Sequence, residues 1–305
     1  MVIIIDGNQL ACRCYFSLDK LTNSYGKRTE MIYGFLSSFK KIVSQYNSKD
    51  NYILLTWDGG NQKRKQIFSE YKAGRKSFEN AFYEQLTDLR RIIDFLGIKQ
   101  YWVEQTEADD LIGTLATKSR KKGQKVLIIS SDHDFEQLIS RHTKVLHPAK
   151  NNMIKDEQFV SDKFAIPIER IYEGLERLPE IMAITGDPTD NIPGIDSVGD
   201  KTASRIVMAN KDFETILEDT DNLKILNKKG EIVDAKDDIK NKIRENKENL
   251  RISYQLVKII CDLDIELILE KKEVEQEKLK EEFEKLEFRM FLNEFDKWTR
   301  CFNNC

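Results

Sequence analysis

Three short apolar runs stand out along the chain: Val2-Ile3-Ile4-Ile5, Ile53-Leu54-Leu55 and Val126-Leu127-Ile128-Ile129. Runs this short, rich in β-branched residues and without polar alternation, predict strands buried on both faces of a parallel sheet. Between them the apolar positions change to helical spacing, as in Ile32-Tyr33-Gly34-Phe35-Leu36-x-x-Phe39-x-x-Ile42-Val43, Leu86-x-x-Leu89-x-x-Ile92-Ile93-x-x-Leu96 and Leu111-Ile112-x-x-Leu115-Ala116. Alternating strands and helices predict a doubly wound α/β domain with a mainly parallel sheet. After about Pro167 the strand signal stops. Residues 168 to 260 predict short helices broken by Gly-Asp-Pro, Ile-Pro-Gly and Val-Gly-Asp turns. The tail carries Leu279, Phe283 and Leu286 and an aromatic finish of Phe288, Phe291, Phe295 and Trp298, read as a helix packed on the body.

The bulk composition narrows the class. At 305 residues, 40% hydrophobic and 33% charged, the chain reads as a soluble globular protein with a substantial core. No apolar run approaches the roughly 20 residues that span a bilayer, and Met1-Val2-Ile3-Ile4-Ile5-Asp6 does not read as a signal peptide. Five cysteines, Cys12, Cys14, Cys261, Cys301 and Cys305, form no C-x-x-C pair, and His133, His142 and His147 lack zinc-type spacing. They predict thiols of a reducing cytosol and no zinc site. The formal net charge of −3 does not advertise nucleic acid binding. Its distribution is more telling: Lys63, Arg64, Lys65, Lys72, Arg75 and Lys76 crowd one segment against a single acid, Glu70, whereas acids predominate from Asp262 to Glu287.

The candidate chemistry is acidic. Each predicted strand leads into aspartate: Ile5-Asp6, Thr56-Trp57-Asp58 and Ser130-Ser131-Asp132-His133-Asp134. Ligands of an open parallel sheet gather at the carboxyl ends of its strands, so these carboxylates are expected to line one crevice. Any one of them taken alone is an ordinary turn residue. A further cluster, Thr106-Glu107-Ala108-Asp109-Asp110, heads a predicted helix with Thr106 as its N-cap. Acids in a first turn favour the helix dipole by about 0.3 to 1 kcal/mol each, yet one would serve, and three crowd negative charge. Gly186-Asp187-Pro188-Thr189-Asp190-Asn191 adds two more at a turn. So many carboxylates repel unless they share protons or bind metal. Oxygen-only donors suit Mg²⁺ or Mn²⁺, and two such ions about 4 Å apart can drive an in-line phosphoryl displacement.

The basic segment begins where Asp58 ends its strand. Lys72 and Arg75, three apart, are expected on one helical face as a phosphate clamp, with Tyr71 beside them to stack on a base or sugar. A solvated charged loop is the plainer alternative. The stretch Ile192-Pro193-Gly194-Ile195-Asp196-Ser197-Val198-Gly199-Asp200-Lys201-Thr202-Ala203 resembles a helix-hairpin-helix turn. Its glycines let the backbone approach a phosphate, the following helix offers free N–H groups, and Lys201 adds a charge. Such contacts read the DNA backbone rather than its sequence.

Taken in order, Ile5-Asp6-Gly7-Asn8, Trp57-Asp58, Tyr71-Lys72-x-x-Arg75, Glu107-Ala108-Asp109-Asp110, Ser131-Asp132-x-Asp134 and Gly186-Asp187-x-x-Asp190-Asn191-Ile192-Pro193-Gly194 resemble the motifs of the 5′ nuclease family. That family spans phage flap endonucleases, the 5′ nuclease domain of bacterial DNA polymerase I and eukaryotic flap endonucleases. The resemblance implies a PIN-like catalytic domain over residues 1–167 with a helical arch at about 63–85. It also implies a helical DNA-binding domain with the helix-hairpin-helix over 168–262 and a helical tail over 263–305. Asp6, Asp58, Glu107, Asp109, Asp132, Asp134 and Asp187 would hold two Mg²⁺ ions (or Mn²⁺), with Asp110 and Asp190 in support. Arg13, Lys72 and Arg75 would contact phosphate, and Gly194, Val198, Gly199 and Lys201 would hold duplex DNA, with K⁺ bound at the hairpin's carbonyls. Implied substrates are branched, nicked or 5′-flapped DNA and RNA-primed DNA. The implied setting is replication or repair in a bacterial or phage-infected cytoplasm, beside replication proteins and with no membrane; in departure from the polymerase-linked members, a free-standing monomer is expected. The stretch from Asn222 to Asn249 is lysine-rich and matches no motif.

Rival readings divide on particular features. A DNA-junction-binding protein with a decayed site would be expected to lack some of the acids. A haloacid-dehalogenase-type phosphatase wants Asp-x-Asp after its first strand, where Asp6-Gly7-Asn8 supplies one, and neither it nor a receiver domain explains the hairpin. A PIN-type ribonuclease shares the first-half fold but not the second domain.

Overall fold

Strand β1 (Val2–Asp6) is buried along its whole length and pairs in parallel with β2 (Tyr52–Thr56) on one side, Val2 facing Tyr52 and Asp6 facing Thr56. β3 (Lys99–Tyr101) lies beyond β2, and β4 (Val126–Ile129) pairs in parallel with β1 on its other side. The order is β3-β2-β1-β4, so β1 is central. Its isoleucines need cover on both faces, which explains the continuous apolar run. The helices Gly7–Ser17, Glu30–Tyr46, Asn80–Phe95 and Ala108–Lys121 belong to the same unit. Glu30–Tyr46 buries Ile32, Phe35, Leu36, Phe39 and Val43, the stripe that its 3.6-residue spacing predicts.

The computed structural model describes residues 1–46, 48–75, 77–148 and 152–302. The chain divides into two compact units, the first of residues 1–60, 76–131 and 261–305, the second of 61–75 and 132–260. The tail thus returns to the first unit. Ile268 N donates to the Tyr101 hydroxyl at 2.9 Å, and Glu275 N to Phe95 O at 2.8 Å. The tail helices Gln276–Lys285, Arg289–Asn293 and Phe295–Arg300 bury Phe283, Phe291 and Trp298 in an aromatic cluster, with Phe302 lying 5.7 Å from Phe39 between ring centres. Among the described residues no helix is long and apolar enough to cross a membrane, and no disulfide forms.

The second unit contains the antiparallel pair β5 (Thr143–His147) and β6 (Met153–Lys155), with Val145 opposite Lys155. Its helices Glu157–Phe164, Ile171–Glu176, Leu178–Thr185, Asp200–Val207 and Phe213–Glu218 are short, as the turn signals predict, and Asp237–Val257 is longer. One expectation fails here. Strands do occur after Pro167: β7 (Lys224–Leu226) and β8 (Ile232–Asp234) form a hairpin in the lysine-rich stretch. Each is three residues long and β8 is exposed throughout, too little for a burial pattern to register. Residues 61–75 join this unit through Arg64, whose guanidinium donates to Leu256 O at 2.9 Å and Lys258 O at 3.1 Å. Those carbonyls end the helix Asp237–Val257 and have no partner within it, so a buried cation there is a cap.

Candidate active site

In the first unit the parallel register brings the carboxyl ends of β1, β2 and β4 to one edge. Asp6 closes β1 and caps the helix Gly7–Ser17, its Oδ1 accepting from Gln9 N at 3.0 Å. Its Oδ2 accepts from the Ser130 hydroxyl, just past β4, at 3.1 Å. Asp58 lies two residues past β2; its own N–H donates to Asn8 Oδ1 at 3.0 Å, and its Oδ1 accepts from Gly60 N at 2.9 Å. Backbone bonds of Gly59 tie the segment before Glu107, Asp109 and Asp110 to this edge. Gly59 N donates to Thr106 O at 2.9 Å, and Gln105 N donates back to Gly59 O at 2.8 Å. A Cβ on Gly59 would stand 1.8 Å from Val103 O, so only glycine permits this approach. Glu107 rather than Thr106 occupies the N-cap position of Ala108–Lys121, without a side-chain cap bond. The Thr106 hydroxyl instead bonds to Glu104 O. Glu107 and Asp110 are buried and Asp109 is half-buried; Arg13, on the helix Gly7–Ser17, is also half-buried.

In the second unit Asp132 Oδ1 accepts from Asp134 N at 2.9 Å, where the 3-10 helix Asp134–Leu138 begins. The turn from Asp187 to Ile192 is closed by Asp187 N to Ile192 O at 3.0 Å and Ile192 N to Asp187 O at 2.8 Å. Desolvation raises the Asp134 carboxyl well above the usual carboxylate range; the negative charges of Asp132, Asp187 and Asp190 add to this and Lys72 opposes it. Asp132, Asp187 and Asp190 thus each lie close enough to Asp134 for its carboxyl to feel their charge. The single helical face expected for Lys72 and Arg75 is not formed. Lys72 has a left-handed backbone (φ 55) in a turn, and the two cations meet because both reach Asp190, Lys72 at 3.4 Å and Arg75 in a short contact. Lys72 N also donates to Asp190 O at 2.9 Å, and the Asn191 amide to Glu70 O at 2.8 Å, tying the two turns together. Tyr71, expected to stack on a nucleotide, is only 3% exposed, with the Lys72 ammonium 4.9 Å over its ring. It supports the lysine. Along the expected arch the described chain runs as the helix Gln62–Ile67, turns through 69–74 and begins a new helix at Asn80; Lys76 and Cys305 lie outside the described residues.

The hairpin is built on two glycines. A Cβ on Gly194 would fall 2.2 Å from Thr185 O, and Gly186 has φ +68. Ile195 N donates to Ile184 O at 2.8 Å, and Ser197 takes φ 66 before the helix Asp200–Val207. That helix starts at Gly199 without a side-chain cap, and a Cβ on Gly199 would meet nothing within 4 Å. A groove of about 480 Å³ runs along the turn, lined by Thr185, Pro188, Gly194, Asp196, Ser197 and Gly199. Lys201 is exposed, whereas Val198 is largely buried. Among the described residues no three His, Cys, Asp or Glu side chains form a ready-made metal cage. Asp190 is turned to Lys72 and Arg75, and Asp132 to the backbone of Asp134.

Comparison with known proteins shows the family and the fold. The profile described as 5′-3′ exonuclease, N-terminal resolvase-like domain, matches residues 1–165, and the one described as 5′-3′ exonuclease, C-terminal SAM fold, matches 174–287. The chain belongs to the 5′-3′ exonuclease family. A family member from Aquifex aeolicus, named 5′-3′ exonuclease, is 32% identical over 301 residues, covering 97% of this chain and 96% of its own length. The thermostable DNA polymerase I of Thermus thermophilus is 32% identical over 295 residues, and there the match spans 96% of this chain but 33% of the polymerase. The fold is that of the bacteriophage T5 D15 flap endonuclease, solved as a pseudo-enzyme–product complex with DNA and metal ions. Its TM-score is 0.63 at 17% identity, over 99% of this chain and 97% of that one.

Sequence reasoning left Asn8, Gly59 and Ser130 without roles; each turns out to hold a carboxylate-bearing segment. A charge cluster beside Asp134, centred on buried Glu136 and Lys155, escaped it altogether. Glu136 Oε1 accepts from Lys155 Nζ at 2.8 Å and lies 3.0 Å from His133 Nδ1, while Oε2 accepts from Lys163 at 2.7 Å. Burial alone would raise the Glu136 carboxyl, but His133, Lys163 and Lys155 together hold it at about 2. No spacing along the chain signals this meeting, because its members come from separate elements.

Proposed function

We propose that this chain is a magnesium-dependent 5′ nuclease that hydrolyses phosphodiesters near the 5′ ends of flaps, nicks and primers. The observation that carries the reading is the excess of carboxylate around Asp134, raised by burial and by Asp132, Asp187 and Asp190. Such ground favours a cation, and all-oxygen donors fit Mg²⁺, with Mn²⁺ as a substitute. The donors are Asp6, Asp58, Glu107, Asp109 and Asp110 in the first unit and Asp132, Asp134, Asp187 and Asp190 in the second. A pair of divalent ions, when bound, supplies water activation and stabilises the leaving oxygen. Lys72 and Arg75, which both reach Asp190, would steady the scissile phosphate. Arg13 adds a phosphate contact.

The uncapped first turn of Asp200–Val207, with Lys201, would hold duplex backbone, and the hairpin carbonyls would hold K⁺. Binding is then salt-sensitive and indifferent to base sequence. The natural substrates in this reading are branched, nicked, 5′-flapped and RNA-primed DNA. The chain works as a monomer with replication proteins in a bacterial or phage-infected cytoplasm. Family membership supports the reading, as do the DNA and metal ions held by the T5 enzyme. The test is cleavage of a 5′-labelled flap duplex with Mg²⁺, with EDTA and with Asp109→Ala. Release of a short oligonucleotide by the Mg²⁺ sample alone, with DNA binding kept by the variant, is expected. Cleavage that survives EDTA overturns the reading.

A further inference from the structure

Glu136 and Lys155 are both 0% exposed. Lys155 ends β6, Lys163 lies on the helix Glu157–Phe164, and His133 stands between Asp132 and Asp134, so three elements converge on one carboxylate. Removing two charges from water costs about what their attraction returns, and an apolar pair of equal volume often stabilises a fold as well or better. What an ion pair supplies that an apolar pair does not is direction. Both Glu136 oxygens are taken, which fixes the 3-10 helix that Asp134 begins, and the His133 contact fixes the residue separating the two aspartates.

We propose that Glu136 and Lys155 are positioning residues that aim the Asp132 and Asp134 carboxylates at a divalent cation. The inference rests on the metal-dependent reading above. Neither residue touches the cation or the substrate. Groups that orient metal-binding side chains typically change affinity or activity by about 10- to 100-fold when removed.

The full-length chain is compared as wild type, Lys155→Met, Lys155→Arg and the double variant Glu136→Leu/Lys155→Met. The readouts are Mn²⁺ binding by electron paramagnetic resonance without DNA, kcat and KM on a flap duplex, and Tm. Lys155→Met is expected to weaken Mn²⁺ binding and lower kcat by about 10- to 100-fold, with KM held within about twofold. Lys155→Arg recovers most of both. The double variant returns Tm to the wild-type value or above while Mn²⁺ affinity and kcat stay low, an outcome that a merely structural role would not produce. Should Lys155→Met fail to fold, the double variant carries the test alone. Wild-type Mn²⁺ affinity and kcat in folded Lys155→Met, or their return together with Tm in the double variant, overturns the proposal. A wild-type chain that takes up Mn²⁺ but cuts no flap sinks the substrate reading and leaves this one standing; one that takes up none sinks both.

Discussion

Replacing Gly59 with alanine tests how the first unit assembles its acids. The added methyl would stand 1.8 Å from Val103 O and 2.7 Å from its carbonyl carbon, distances that no rotamer relieves because both are backbone atoms. The segment around Val103 must move off, and the bonds Gly59 N to Thr106 O and Gln105 N to Gly59 O break with it. At about 0.5–1.5 kcal/mol each, their loss costs about 2 kcal/mol, or roughly 4 to 8 °C in Tm for a unit of this size. The consequence for function is larger. The displaced segment leads directly into Glu107, Asp109 and Asp110, and a shift of about 1 Å in catalytic groups can lower a rate about 100-fold. Single-turnover cleavage of a flap duplex in Mg²⁺, beside a thermal melt, measures both. A variant with wild-type rate and wild-type Tm would refute the reasoning, because the contact would then not govern the acids.

Other perturbations probe other parts. Arg28→Ala removes the cation from fully buried Glu30, whose carboxyl is pushed up by burial but held below its usual range by Arg28 and Gln85. The pair therefore stabilises above the unfolded carboxylate range and its contribution fades as pH falls, so the variant should lose about 3 kcal/mol near neutrality and less in acid, read from urea melts at several pH values. Lys72→Ala and Arg75→Ala should each weaken flap capture by about tenfold, the equivalent of ~1.4 kcal/mol, in filter binding with Ca²⁺. Gly194→Ala, whose Cβ would lie 2.2 Å from Thr185 O and 2.6 Å from Gly186 N, should displace the hairpin and weaken duplex binding about tenfold in the same filter assay.

The sequence showed the sheet where burial is two-sided. β1, β2 and β4 are continuous apolar runs because helices cover both faces, and the acids after them follow from the parallel register. β3 was hidden: Lys99-Gln100-Tyr101 is short and polar, and its place is set by backbone pairing and by Gln100 accepting from Trp57 Nε1 at 2.6 Å. The carboxylates were legible as residue types at strand ends and helix heads. Their partners were not, since Lys72 and Arg75 meet Asp190 across more than a hundred residues. Arg64 shows the opposite error: it reads as part of a phosphate-facing segment, yet it caps a helix. Charge along the chain does not say which cations face solvent.

The central claim is that these carboxylates exist to hold divalent cations, and Mn²⁺ titration of the full chain without DNA tests it most directly. Two ions bound per chain, with Asp134→Ala and Asp6→Ala each losing at least one, is the predicted result. Failure of the wild-type chain to bind Mn²⁺ or Mg²⁺ at millimolar concentrations, or undiminished binding by both variants, would contradict it.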